Sequence, residues 1–317
     1  MICPICENTK IYLKGKDFPG FIENNKFDIF ECDKCNTSFI DPTKIDKKVY
    51  DIIYNNKKSP GYDRYLNYLE RIKKEKNPLK FLANQEPSYF PIYDFIKNIK
   101  KELDILEIGC GYGYTSYALS KFKHNITAID LSKNAIELAK KHFKNIKFLN
   151  VDILKIKHQK KYDLIIATEL IEHLEDVPSF IKKCSTLLKN KGYIILSTPN
   201  KDFWKNKIWQ TDLPPVHATW LSKKTFYTLA KNNNLRVKFT SFNQYYGREI
   251  DKFLSIFIKT KNPNSILKNN GDPIYINKKS SKILKEILLF FPLRFLLKKI
   301  ANLIKKEDQI LGIILKK

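Results

Sequence analysis

LDILEIGCGYGYTSYALS, residues 103–120, passes from an unbroken apolar run through three glycines into a segment with helical spacing. A continuous apolar run bounded by turn residues reads as a strand buried on both faces. Gly109, Gly111 and Gly113 let the backbone turn sharply and approach a ligand, while the helix start beyond them offers unpaired N–H groups. The dinucleotide fingerprint Gly-x-Gly-x-x-Gly requires glycine at 114, where this chain has Tyr114. The triplet alone therefore names no ligand.

The alternation continues outward. NITAID and KFLNVDI read as strands around the helix KNAIELAKKHF, and YDLIIAT and GYIILSTPN as strands around the helix DVPSFIKKCSTLL. This pattern predicts an α/β fold with a parallel sheet covered on both faces. Glu107 begins the glycine loop and Asp130 closes the second strand. Asp130 is placed to accept from two ribose hydroxyls, which disfavours a 2′-phosphorylated cofactor. Asp152, closing the third strand, can accept from an adenine amino group.

Taken together, Glu107-Ile-Gly109-Cys-Gly111-Tyr-Gly113, Asp130, Asp152 and YDLIIATELIEHLED (162–176) resemble the class I S-adenosylmethionine-dependent methyltransferases, over about residues 103–230. The resemblance implies a Rossmann-like doubly wound sheet, mostly parallel with its last strand antiparallel, and S-adenosylmethionine as cofactor. It implies that Gly109 and Gly111 lie beside the methionine part, with Glu107 and Gly113 completing the loop. Asp130, followed by Leu131, would hold the ribose, and Asp152 would face the adenine with Ile153 beside it. Thr168, Glu169 and Leu170 would line the methyl-bearing side. Such sheets end in an antiparallel pair, for which LRVKFTSF (235–242) and ILGIILKK (310–317) are the candidates. The expected catalytic domain is therefore 101–242 plus 309–317, with 243–308 a helical insertion between its last two strands.

Ahead of this domain stand Cys3, Cys6, Cys32 and Cys35, two Cys-x-x-Cys pairs whose spacing reads as a tetrahedral zinc site. Residues 1–42 are expected as a zinc ribbon, too small to fold without the metal. Residues 43–100 are expected as aromatic helices punctuated by proline, forming the substrate side. ECDKCNTSFIDP (31–42), VYDIIYNN (49–56), PGYDRY (60–65) and DLPPVHATWLSKKTF (212–226) resemble a bacterial subgroup with a zinc ribbon before the methyltransferase domain. That likeness implies surface-polysaccharide or lipopolysaccharide biosynthesis, and a small or carrier-linked sugar as acceptor.

The net charge of +25 points toward nucleic acid less strongly than its size implies, because only five of 58 basic residues are arginine. Arginine forks read phosphates and bases, whereas diffuse lysine more often covers a solvated surface. An rRNA guanine methyltransferase is the alternative this charge and the ribbon keep open, although such ribbons tend to end Cys-x3-His. A non-catalytic zinc-ribbon scaffold is the other, and the intact glycine loop and Asp130 oppose it. No apolar segment follows Met1-Ile2-Cys3-Pro4, so a cytoplasmic location is expected. Residues 281–306 are basic and apolar at helical spacing, and their reading is divided between a packed insertion and peripheral contact with the inner membrane face. Oligomeric state is not legible.

Methyl transfer to a hydroxyl needs alignment and a base. His173, in Glu172-His173-Leu174 just past the fourth strand, is the first candidate, oriented by Glu169 or Glu172. His217 in PPVHATW is the second. Trp204, Trp209 and Trp220 are candidate stacking platforms for a sugar or base, or else core. Cys110 and Cys184 read as packing.

Overall fold

In the computed structural model, the structure describes residues 1–44, 49, 52, 63–157, 160–204, 212–245, 248, 264–274 and 307–317. The apolar run before the glycine loop forms β4 (Asp104–Ile108), whose residues from Ile105 onward are all buried. Before it come the ribbon strands β1 (Ile11–Pro19), β2 (Lys26–Cys32) and β3 (Ser38–Ile40), then the helices α1 (Asp63–Arg71), α2 (Pro78–Gln85) and α3 (Phe90–Ile96). After it the chain alternates as α4 (Tyr114–Ser120), β5 (Asn125–Asp130), α5 (Lys133–His142), β6 (Lys147–Asn150) and β7 (Tyr162–Thr168). There follow α6 (Val177–Leu187), β8 (Leu188–Pro199), α7 (Lys201–Trp204), β9 (Thr219–Trp220), α8 (Lys223–Asn232), β10 (Arg236–Phe239) and β11 (Ile310–Lys316).

Local chemistry starts the helices where side chains can satisfy their first N–H groups. Ser132 accepts from Ala135 N to begin α5, and Asp176 accepts from Ser179 N to begin α6. Ser222 and Thr225 form a reciprocal capping box at α8.

Seven strands form one sheet in the order β10-β11-β8-β7-β4-β5-β6. β4 through β8 run parallel, and β11 lies antiparallel between β8 and β10. This is the expected doubly wound arrangement with its antiparallel end. One core, with Ile165, Ile181, Leu196 and Phe226, fills one face; the other, with Leu82, Ile92, Leu119 and Ile195, packs the helices of 63–96 and α4 and α5 on the opposite face. Chain order reverses between β4 and β7, so the loops leaving their carboxyl ends part and open a crevice.

The ribbon does not stand apart. Its strands β1-β2-β3 take β9 as a fourth, antiparallel member, with Ser38 opposite Trp220 and Phe39 opposite Thr219. Cys3, Ile5, Cys32, Cys35 and Phe39 belong to the same apolar core as Phe180 and Phe226. Thr37 and Thr225 hydroxyls meet at 2.9 Å, and Lys201 reaches both the Asn36 carbonyl, at 2.8 Å, and Glu31, at 2.7 Å. Trp220 packs on Ile29, Ile40 and Ala218 and donates its indole N–H to the Asp212 carbonyl at 3.2 Å, so it is core and not a stacking platform. Trp209 lies outside the described residues, as does the side chain of Trp204.

Within 243–308, Ile266 and Leu267 pack against Phe21, Val49, Leu213 and Val216. The Ile266 amide donates to the Phe21 carbonyl at 2.9 Å. The expected helices of this insertion, and the whole segment 281–306, lie outside the described residues. Among the described residues no helix is long and apolar enough to cross a membrane. Cys110 and Cys184 are buried, 5% and 0% exposed, as packing residues.

Candidate functional site

The glycine loop leaves β4 and is pinned to the next strand, with Gly109 N and Cys110 N both donating to the Ile129 carbonyl at 2.9 and 3.1 Å. All three glycines have positive φ, +73°, +49° and +78° in chain order. A Cβ on Gly113 would lie 2.6 Å from Phe148 Cζ, whereas one on Gly111 would meet nothing within 4 Å. Gly113 is thus a packing glycine and Gly111 faces open space where a ligand can sit. Gly113→Ala is expected to destabilise the fold by roughly 2–5 kcal/mol, from left-handed strain plus overpacking. Gly111→Ala should keep most of the stability, since strain alone costs roughly 1–2 kcal/mol, yet block cofactor binding. Melting curves and calorimetry on the pair separate the two roles.

Asp130 closes β5 with both carboxylate oxygens engaged. Oδ2 accepts from Gly111 N and Oδ1 from Ser132 N, each at 2.8 Å. Burial pushes this carboxyl above its usual range, and the backbone donors pull it back. Asn150 donates to the carbonyls of Asp130 and Leu131 at 3.0 and 2.8 Å, holding the bend beneath the loop. Leu131 itself is 73% exposed. Asp152 accepts from Leu154 N at 2.9 Å, capping a short turn in which Ile153 is buried. β6 ends at Asn150, earlier than the run KFLNVDI predicts, because Asp152 uses its side chain to start that turn.

Glu107 is 2% exposed and accepts a hydrogen bond from Ser116 Oγ. Burial raises its pKa from 4.5 to about 7, with Asp130 adding to the rise. A carboxyl raised in the fold destabilises it once ionised: the penalty is absent below the unfolded value, grows from about pH 4.5 to 7 and is constant above. Glu107→Gln should therefore stabilise the ligand-free protein by up to about 3 kcal/mol at pH 8 and leave it unchanged at pH 4. Melting temperatures at the two pH values check this, and equal shifts at both would refute it.

On the other side of the crevice β7 ends at Thr168, and Glu169 follows with a positive φ of +48°, its amide donating to the Ser197 carbonyl at 2.9 Å. Burial raises Glu169 to about 7, opposed by Arg64, whose Nη2 lies 3.4 Å away. Arg64 also pairs with Glu86 at 2.5 Å, and Tyr65 OH reaches Glu169 at 3.5 Å. Tyr68, Tyr89 and Tyr114 continue this layer, with Tyr89 and Tyr114 hydroxyls 2.7 Å apart. No local pattern in the sequence marks these partners, although PGYDRY carries one of the chain's five arginines.

Glu172 and His173 sit in a short turn, Ile171–His173. The His173 Nδ1 lies 2.6 Å from the Val216 carbonyl oxygen, so a backbone carbonyl orients the ring where a carboxylate was expected. Burial lowers His173 to about 4 and His217 well below its usual range, so both rings are neutral near pH 7. The two rings meet edge to face with centroids 4.5 Å apart. Leu170, at the start of this turn, presses on the Gly109 position, within 3.1 Å of a Cβ placed there, and so couples the two loops. The glycine loop, Asp130 and the Glu172–His173–His217 cluster therefore share one end of the sheet.

The four cysteine sulfurs also come together, with Cys3 and Cys35 Sγ 3.5 Å apart, Cys6 and Cys32 Sγ 3.6 Å apart, and all four within 4.8 Å. A tetrahedron of thiolates about 2.3 Å from zinc has edges of about 3.8 Å, so the set fits that ion. Ile5 N and Asn8 Nδ2 donate to Cys3 and Cys32 sulfurs at 3.4 and 3.6 Å, as thiolate ligands require.

The sequence model described as "Methyltransferase domain" matches residues 65–238. A ubiquinone biosynthesis O-methyltransferase of Pelagibacter ubique is 40% identical over 111 residues, 33% of this chain and 44% of that protein. One from Coxiella burnetii is 36% identical over 104 residues, 31% of this chain and 44% of that protein. The chain thus spans less than half the length of these relatives. Among solved structures, the YcgJ protein of Bacillus subtilis aligns with a TM-score of 0.47 at 16% identity, covering 72% of this chain and 98% of that one.

Proposed function

This chain belongs to the methyltransferase-domain family, and from that premise we propose that it uses S-adenosylmethionine to methylate a hydroxyl oxygen of a small or carrier-linked acceptor. The observation that carries the reading is the placement, at one end of the sheet, of the Asp130-pinned glycine loop and the Glu172–His173–His217 cluster, linked by Leu170 packed at the Gly109 position. The sulfonium methyl is already electrophilic, so the protein's task is to align oxygen, carbon and sulfur. A hydroxyl must also shed its proton, and the groups at that edge that can assist are the His173 and His217 imidazoles, which burial keeps neutral while lowering their strength as bases.

For the acceptor we propose a sugar hydroxyl on a surface-glycan intermediate, supported by the segments ECDKCNTSFIDP and DLPPVHATWLSKKTF. The relatives named for ubiquinone biosynthesis favour a second reading, a ring hydroxyl on a quinone-type acceptor. Incubating lysate with methyl-labelled cofactor and sorting the label decides between them. Label in nucleotide-sugar or polysaccharide supports the first, label in a quinone extract supports the second, and label in RNA overturns both.

The same reading takes Zn2+ as a structural ion on Cys3, Cys6, Cys32 and Cys35, supported by their mutual distances. It keeps the cytoplasmic location and, for 281–306, a packed insertion as the first reading and contact with the inner membrane face as the second, all of which rest on the sequence pattern alone.

A further inference from the structure

We propose that Glu172, His173 and His217 form a second metal site, which binds a divalent first-row cation at the carboxyl edge of the sheet. One nitrogen from each imidazole and one Glu172 oxygen lie within 4.8 Å of one another. Two imidazoles and a carboxylate are a donor set suited to Zn2+, Co2+ or Fe2+ with positions left open for a ligand.

Three features show that the site is built. Glu172 Oε2 and His217 Nδ1 are buried with no hydrogen-bond partner among the described residues, and their residues are only 2% and 5% exposed. Unpaired buried polar atoms cost free energy, so two in one cluster need an occupant. The two segments are clasped on both sides, Ala218 N donating to the Glu172 carbonyl at 3.1 Å and His173 Nδ1 to the Val216 carbonyl at 2.6 Å. That second bond sets the tautomer, placing the lone pair on Nε2, and a ring nitrogen bonded to a backbone carbonyl is the usual support of a metal-bound imidazole. His173 is partly exposed and provides the approach.

Metal binding stands on this geometry alone; the use of the ion rests on the methyl-transfer reading. There the cation holds the acceptor oxygen and lowers the pKa of its hydroxyl. The O–H bond breaks with its proton passing to solvent, and the O–CH3 bond forms as the S–CH3 bond breaks. A methyl ether and S-adenosylhomocysteine result. In this assignment His173 is a ligand of the cation, not a free base.

The test titrates Co2+ into full-length protein whose thiolate site is already filled with Zn2+. One further Co2+ per chain should bind, with ligand-field bands but no thiolate-to-metal charge-transfer absorption. Glu172→Gln and His217→Gln should each weaken Co2+ by about 10-fold to 100-fold or more, the size seen even for supporting groups, with unchanged circular dichroism. Uptake of no second ion would overturn the proposal, as would wild-type affinity in both variants. So would charge-transfer bands, which would mean exchange into the cysteine site. Calorimetry with S-adenosylmethionine on the same samples is independent: cofactor binding without Co2+ defeats only this inference, and Co2+ binding without cofactor defeats only the methyl-transfer reading.

Discussion

Asp130→Ala is expected to weaken S-adenosylmethionine binding by about 100-fold to 1,000-fold, read by calorimetry. One carboxylate performs two tasks. Oδ2 accepts from Gly111 N, which holds the glycine loop against β5, and Oδ1 accepts from Ser132 N at the start of the next turn; the same carboxylate is the expected acceptor for the ribose hydroxyls. Hydrogen bonds to a charged group contribute about 1.5–3 kcal/mol each, and a donor left unpaired adds its own penalty. Loss of two such contacts, each near the lower end of that range, accounts for about 3–4 kcal/mol, the 100-fold to 1,000-fold range. Asp130→Asn retains one acceptor oxygen and should fall between wild type and alanine. A threefold change or less in the alanine variant would remove Asp130 from the cofactor site.

The second large effect is expected from removing metal from the four clustered cysteines. As isolated without chelators, the protein should carry zinc on its four clustered cysteines, and chelation should unfold the ribbon. A structural zinc contributes about 10 kcal/mol or more in small modules, comparable with the whole stability of a domain. The damage should spread further than the ribbon. β9 is a strand of the ribbon sheet, and the segment just before it carries His217 and the Ala218 amide that donates to Glu172. The metal-free chain should therefore melt at least 10 °C lower, by about 2–4 °C per kcal/mol in a chain of this order of size, and four thiols should become reactive. Cys32→Ser should reproduce the effect, whereas Cys184→Ala, at a buried packing thiol, should leave zinc bound. Unchanged melting and thiol reactivity after verified metal removal would show that the sulfurs cluster without a structural ion.

Glu107 and Asp130 illustrate why a binding site of this kind is costly to the empty protein. Both carboxyls are held above their usual range by burial, a conflict that folding alone would remove with neutral side chains.

The chain by itself determined the elements and their order. Gly109, Gly111 and Gly113 after LDILEI, and the alternation that follows, are local patterns written in backbone conformation and apolar period, so they are legible residue by residue. ILGIILKK was placed in the antiparallel end of the sheet by the family resemblance, and it forms β11 between β8 and β10. Only the tertiary structure decided which distant segments meet. Arg64 reaches Glu169 across 105 residues, Thr219–Trp220 joins the ribbon sheet, and His217 comes to rest against His173. A one-dimensional spacing carries no record of such meetings, because they depend on how α1, the ribbon and the loop after β8 pack on the two faces of one sheet. The orienting partner of His173 shows the limit most clearly. Glu172 precedes His173 and Glu169 lies four residues before it, yet the atom at hydrogen-bonding distance from its ring is the Val216 carbonyl, 43 residues away and brought there by the fold.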